Sequence, residues 1–129
     1  MATNIKNISE ISDDLISITF GDEFNQNIEK VIWPKSLTSI VFGYWFNQPV
    51  EKVIWPNSLT SLKFGYTFNH KITNLQNISY LTFYYKYKHY NDINKQYLCQ
   101  IKQIDANDNE IIIFQRITGT LTKRACHYK

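Results

Sequence analysis

Eleven residues, FNQNIEKVIWP from Phe24 to Pro34, return 22 positions later as FNQPVEKVIWP from Phe46 to Pro56. The register extends to both sides without a gap. KSLTSIVFGYW, Lys35 to Trp45, aligns with NSLTSLKFGYT, Asn57 to Thr67. LISITFGDE, Leu15 to Glu23, precedes them in phase, and FNHKI opens a further round at Phe68. A fixed period of this length restricts the chain to stacked coils, because one unit cannot enclose its own apolar face.

Within a unit the large apolar residues fall at Leu37, Ile40, Phe42, Phe46, Val50, Val53 and Trp55. Alternation over I-x-F and V-x-W is a strand signal of period two. Pro34 and Pro56 forbid helical continuation. The pattern therefore predicts two short parallel strands per 22-residue coil. Neighbouring coils stack about 4.8 Å apart, as strands of a sheet do.

In-register stacking places like residues in columns. Leu15, Leu37 and Leu59 form one, Ile18, Ile40 and Leu62 a second, and Phe20, Phe42 and Phe64 a third. Phe24, Phe46 and Phe68 form another; Trp33 and Trp55 follow Ile11 in the last. Asn25, Asn47 and Asn69 stack at a turn, where an amide can bond the backbone of the next coil. Gly21, Gly43 and Gly65 close each I-x-F segment, at a corner that needs positive φ or close backbone approach. These ladders are read as structural.

The motif F-N-Q-P-V with V-I-W-P and S-L-T-S-L-x-F-G resembles the FNIP repeat, a 22-residue cousin of leucine-rich repeats found in giant DNA viruses and social amoebae. Gln48-Pro49-Val50 matches it closely; Gln26-Asn27-Ile28 lacks the proline, and His70-Lys71-Ile72 lacks both Gln and Pro. The resemblance covers Leu15 to Phe83. It implies a mainly β, leucine-rich-repeat-like solenoid. In many members an F-box or similar ubiquitin-ligase adaptor segment precedes the repeats. The 14 residues ahead of Leu15 are too few to hold one, so that role is not carried over.

Both ends of the pattern are worn. Ile5, Ile8 and Ile11 read as a first coil or cap over residues 1–14. Repeat coils occupy 15–93, with YYKYKHY, Tyr84 to Tyr90, taken as an insertion before a worn Tyr90-Asn91-Asp92-Ile93. From 94 to 129 the expectation is a C-terminal β cap: an antiparallel hairpin of QYLCQIKQID and EIIIFQRI around A-N-D-N, then a strand over Leu121 to His127. The 129 residues form one domain.

Composition limits function. The net charge of +3 is too mild to demand an anionic partner, although residues 84–129 carry eight Lys or Arg against four acids. Cys99 and Cys126 lack metal or redox spacing; one disulfide between them stays open, with two reduced thiols in a cytoplasmic protein the expectation. The N-terminus lacks the apolar core of a signal peptide, and no run is long enough to span a bilayer. No catalytic, metal-ligating or cofactor constellation is present: the three histidines fall in unrelated units, and Cys126 and His127 would point apart on a strand.

Function then falls to residues pointing outward. On the V-x-W segment these are Lys30, Ile32, Lys52, Ile54, Asn74 and Gln76. Two adjacent exposed isoleucines rimmed by lysines suit a protein partner, host-derived if the chain is viral, and self-association stays open. A second reading takes Tyr44, Trp45 and Tyr66 as an aromatic face for sugar rings. A third takes Tyr84 to Tyr90 as a single-strand nucleic-acid segment, but the charge is low for such a binder. Membrane and nucleic-acid partners are not expected.

Overall fold

A computed structural model describes residues 2–116; the expected turn at Thr118 to Thr120, the strand over Leu121 to His127, and Cys126 lie outside them. Seven strands form one sheet in chain order: β1 (Ala2–Ile5), β2 (Ser17–Phe20), β3 (Ser39–Val41), β4 (Ser61–Lys63), β5 (Tyr80–Tyr84), β6 (Gln100–Ile104) and β7 (Glu110–Gln115). β1 to β6 are parallel and β7 returns antiparallel on β6. The register is that of the repeat. Ile18, Ile40 and Leu62 are direct partners, as are Ser17, Ser39 and Ser61.

Packing follows the columns. The Phe20, Phe42 and Phe64 rings stack at 5.0 and 5.3 Å, nearly coplanar. Phe24, Phe46 and Phe68 stack at 6.0 and 6.1 Å beside them. Trp33 and Trp55 lie 5.7 Å apart. All eight rings are buried, with Leu37, Leu59, Val50 and Ile72 between them, and Leu15 and Ile11 pack half-buried at the N-terminal end.

Each coil contributes one strand, not the expected two. The V-x-W segments alternate in burial but do not pair with their neighbours as strands. Their backbone turns locally: Val31 N–H donates to Ile28 O at 3.2 Å and Val53 N–H to Val50 O at 3.1 Å. Pro34 and Pro56 offer no N–H for a ladder at the segment's end. Alternation there records which side chains face the core, not which backbones pair.

Polar side chains complete the stack. Asn47, Asn69 and Lys88 N–H groups each donate, at 2.9 Å, to the amide oxygen of Asn25, Asn47 and Asn69 in the preceding coil. The S-L-T-S phrase works alike. Ser36 and Ser58 hydroxyls donate to Leu15 O and Leu37 O, and Thr38 and Thr60 hydroxyls to Ile16 O and Thr38 O. Asn47→Ala removes one such acceptor at a water-accessible site. It is expected to lower unfolding free energy by about 1 kcal/mol, read from denaturant titration.

The ends depart from expectation in an informative way. The segment 84–90 is not an insertion but the fourth coil itself, reached three residues early. Tyr87 takes the Phe slot, 5.8 Å from Phe68 and 4.7 Å from Phe83, and Lys88 takes the Asn slot through its backbone. Tyr90 to Asp92 is a 3-10 turn. The hairpin is as expected, but its first strand β6 also continues the parallel register from β5, so the repeat runs into the cap. At the N-terminus β1 pairs in parallel with β2, and Asn7 and Glu10 form a capping box on the 3-10 turn Ile8–Glu10. Cys99 is buried and disulfide-bonded, which overturns the expectation of a reduced thiol there.

Candidate docking surfaces

The first surface lies on the side of the coil away from the sheet. Val53 and Trp55 point inward, so Ile54 between them must point out; the same holds for Ile32 beside Trp33. Ile32 is 91% exposed and Ile54 84%, far beyond an ordinary surface residue of that size. The Trp33 and Trp55 columns hold them at coil spacing. Together with Trp33, Trp55, Pro56 and Lys35 they border a shallow hollow of about 520 Å³. Lys30 and Lys52 are exposed beside it.

The outward column continues differently in the third coil. Asn74, expected on the surface, turns in: its Nδ2 donates to Val50 O at 3.3 Å and to Val53 O. It closes the gap left where the Trp-Pro phrase is lost. Gln76 remains exposed and ends the apolar stripe with a polar side chain.

The second surface follows the strand-end corner. Tyr44 and Tyr66 stack at 4.9 Å and 11°, and Trp45 stands against Tyr44 at 4.7 Å and 67°. The stacked pair covers the inner face of each ring, so a sugar ring finds no flat surface between them. The fourth coil adds residues that the repeat pattern hid. Tyr85 meets Tyr66 with hydroxyls 3.4 Å apart, and the Lys86 ammonium lies 5.1 Å from the Tyr66 ring centroid. That ammonium, with the Tyr85 hydroxyl, lowers the Tyr66 phenol from its ordinary pKa. The available signal was Phe83-x-x-x-Tyr87, which keeps the spacing of Phe42-x-x-x-Phe46.

Within 84–90 the tyrosines divide. Tyr87 is buried and donates its hydroxyl to His70 O at 2.8 Å, and burial raises its pKa; Tyr85, Lys86 and Lys88 are exposed. A row of open stacking faces is therefore not formed there. Among the described residues no group of three His, Cys, Asp or Glu could hold a metal ion, and no helix is long and apolar enough to cross a membrane.

A stack of parallel single-strand coils closed by ladders of Phe, Asn and Trp is a solenoid of the leucine-rich-repeat class. The FNIP repeat matches residues 5–45 and 46–76, more than half of the chain, and the chain belongs to the FNIP repeat family. Among solved structures, the giant-virus protein CroV588, described as a novel circular LRR protein, is 34% identical, with a TM-score of 0.64. The match covers 87% of this chain and 17% of that one, so the chain spans under a fifth of its neighbour's length. No curated protein matches.

Proposed function

We propose that the chain is a non-catalytic scaffold that holds another protein on the Ile32/Ile54 stripe. The observation that carries the reading is the near-complete exposure of two isoleucines in successive coils of an otherwise well-ordered ladder. Side chains of that kind are costly to leave in water, roughly 1.5–3 kcal/mol each relative to burial. The rigid columns beneath keep them at fixed spacing, so a partner need order little of this surface on binding. Lys30, Lys52 and Lys35 rim the stripe and favour a partner with acids around an apolar centre. The stripe is small, which fits modest affinity or repeated contacts.

Ile32→Asp with Ile54→Asp is expected to weaken capture of the partner by about 100-fold or more, because buried charge then replaces apolar contact. The melting temperature should stay at the wild-type value, since neither side chain packs in the core. The measurement is affinity purification from the cells that make the protein, followed by titration of the recovered partner. Equal affinity for the double variant would remove this face from consideration.

A further inference from the structure

Cys99 stands in a column that the repeat turns outward. Thr38 N–H donates to Ile16 O at 2.7 Å, Thr60 N–H to Thr38 O at 3.0 Å, Ser79 N–H to Thr60 O at 2.8 Å and Cys99 N–H to Ser79 O at 2.7 Å. Ile16, Thr38 and Thr60 are exposed, whereas Ser79 and Cys99 are 5% and 1% exposed. The last two positions of an otherwise open column are therefore covered. Arg116, the last described residue, is pinned beside them. Its N–H donates to Cys99 O at 2.8 Å, its Nε to Leu98 O at 2.9 Å and its Nη2 to Lys95 O at 2.7 Å. Cys99 itself is disulfide-bonded, and the 129 residues hold one other cysteine, Cys126. The chain thus leaves β7 next to Cys99, and a bond within the chain must bring it back there by residue 126.

We propose that Cys99 is joined to Cys126, and that this bond holds residues 117–129 as a strap across the outward Ser79 and Cys99 positions, released by reduction. The competing path is a turn at Thr118 to Thr120 followed by a strand on β7. It would set Cys126 opposite Ile112, which faces Lys102 in register. Cys126 would then stand two strands over from β6 and three residues along from Cys99, roughly 14 Å away. A disulfide needs Cα atoms within about 7 Å, so the bond and that strand exclude each other. Bond formation takes two protons and two electrons from the two thiols and gives them to a disulfide oxidant, which leaves as a dithiol; a dithiol reductant reverses the step. Because Cys99 is buried, a reductant must attack at Cys126 or wait for the strap to lift, so exchange is slow in the folded chain. Release uncovers Ser79 and Cys99 and frees the basic residues Lys123, Arg124 and Lys129. The redox state of the surroundings then decides whether this end of the sheet is covered.

The test uses the full chain purified without reductant. Denatured protein should show no free thiol, and tryptic digestion should yield residues 96–102 linked to residues 125–129 of the same chain. Limited trypsin treatment of the folded chain should cut after Lys123 and Arg124 about tenfold faster or more once the protein is reduced, because cleavage follows the opened fraction. Cleavage after the exposed Lys30 and Lys52 serves as the internal standard. Cys126→Ser and Cys99→Ser should each show the fast cleavage without reductant. Ile32→Asp with Ile54→Asp should keep both the linkage and the slow cleavage, which separates this proposal from the docking reading. Two free thiols, a bond to a second copy, or cleavage after Lys123 and Arg124 that is indifferent to reduction would overturn it.

Discussion

Phe46→Ala is expected to lower the unfolding free energy by about 3–5 kcal/mol. Phe46 is fully buried in the middle coil of its column, 4.1 Å from Phe42 within the coil. It also stacks at 6.0 Å on Phe24 and 6.1 Å on Phe68. The upper part of the range applies because the cavity cannot collapse. Coil spacing is set independently by the strand ladder and by the Asn25–Asn47–Asn69 chain of amide bonds. Neighbouring rings cannot slide into the gap without breaking those bonds. For a domain of this size the loss amounts to a fall in melting temperature of roughly 10 °C or more. A thermal scan within 2–3 °C of wild type, about 1 kcal/mol, would mean that Phe46 does not bear the packing assigned to it. Phe24→Ala, nearer the N-terminal end, should cost less, since the 3-10 turn Ile8–Glu10 and its flanks have more freedom to close over it.

That ladder was legible from spacing alone. A period of 22 with Phe, Asn, Gly and Trp at constant phase leaves little choice but like over like, and the two Phe columns, the Asn ladder and the Trp33–Trp55 pair form as read. The exposure of Ile32 and Ile54 was equally legible, because alternation with Trp33 and Trp55 allows no other direction. The second strand of each coil was misread because alternation reports burial. Whether a backbone pairs across coils depends on hydrogen-bond geometry that Val31, Trp33 and Pro34 do not declare. Asn74 misled for a related reason: its position in the column is outward, but the Val50 and Val53 carbonyls of the preceding coil accept its amide and draw it in. The fourth coil was missed because its identities changed while its spacing survived. Tyr87 stacks as a phenylalanine would, and Lys88 needs only its backbone N–H to take the bond from Asn69. The cluster of Tyr66, Tyr85 and Lys86 depends on that coil, so it was out of reach until Tyr85 and Lys86 had been placed.

Gly65→Ala should be as damaging as the loss of a core ring, although it adds one methyl group. The corner glycines are packed backbone on backbone. A Cβ at Gly65 would run into Gly43 O, lie 2.6 Å from Gly43 C and stand 3.2 Å from Tyr44 Cα. At Gly43 it would meet Gly21 O, with Gly21 C and Asp22 Cα both at 2.7 Å. None of these atoms can swing aside as a side-chain tip does. Neither position has the left-handed φ that would give a second reason for glycine, so close approach alone explains the column. Relief requires the coils to part by several tenths of an ångström at the corner. Parting strains the bonds that join those two coils, including Thr67 N–H to Tyr44 O at 3.1 Å and Phe42 N–H to Lys63 O at 2.8 Å. Overpacking a well-packed core costs about 1–3 kcal/mol where side chains can shift; against fixed backbone the cost should exceed about 3 kcal/mol. The contrasting control is Gly21→Ala, where the atom met first is the side-chain oxygen of Asn4, which can rotate away. Denaturant midpoints should therefore rank Gly65→Ala and Gly43→Ala well below Gly21→Ala, and Asn4→Ala should rescue only the last. Equal midpoints for all three would show that the coils are not in contact at their corners, and the stacking geometry would have to be redrawn.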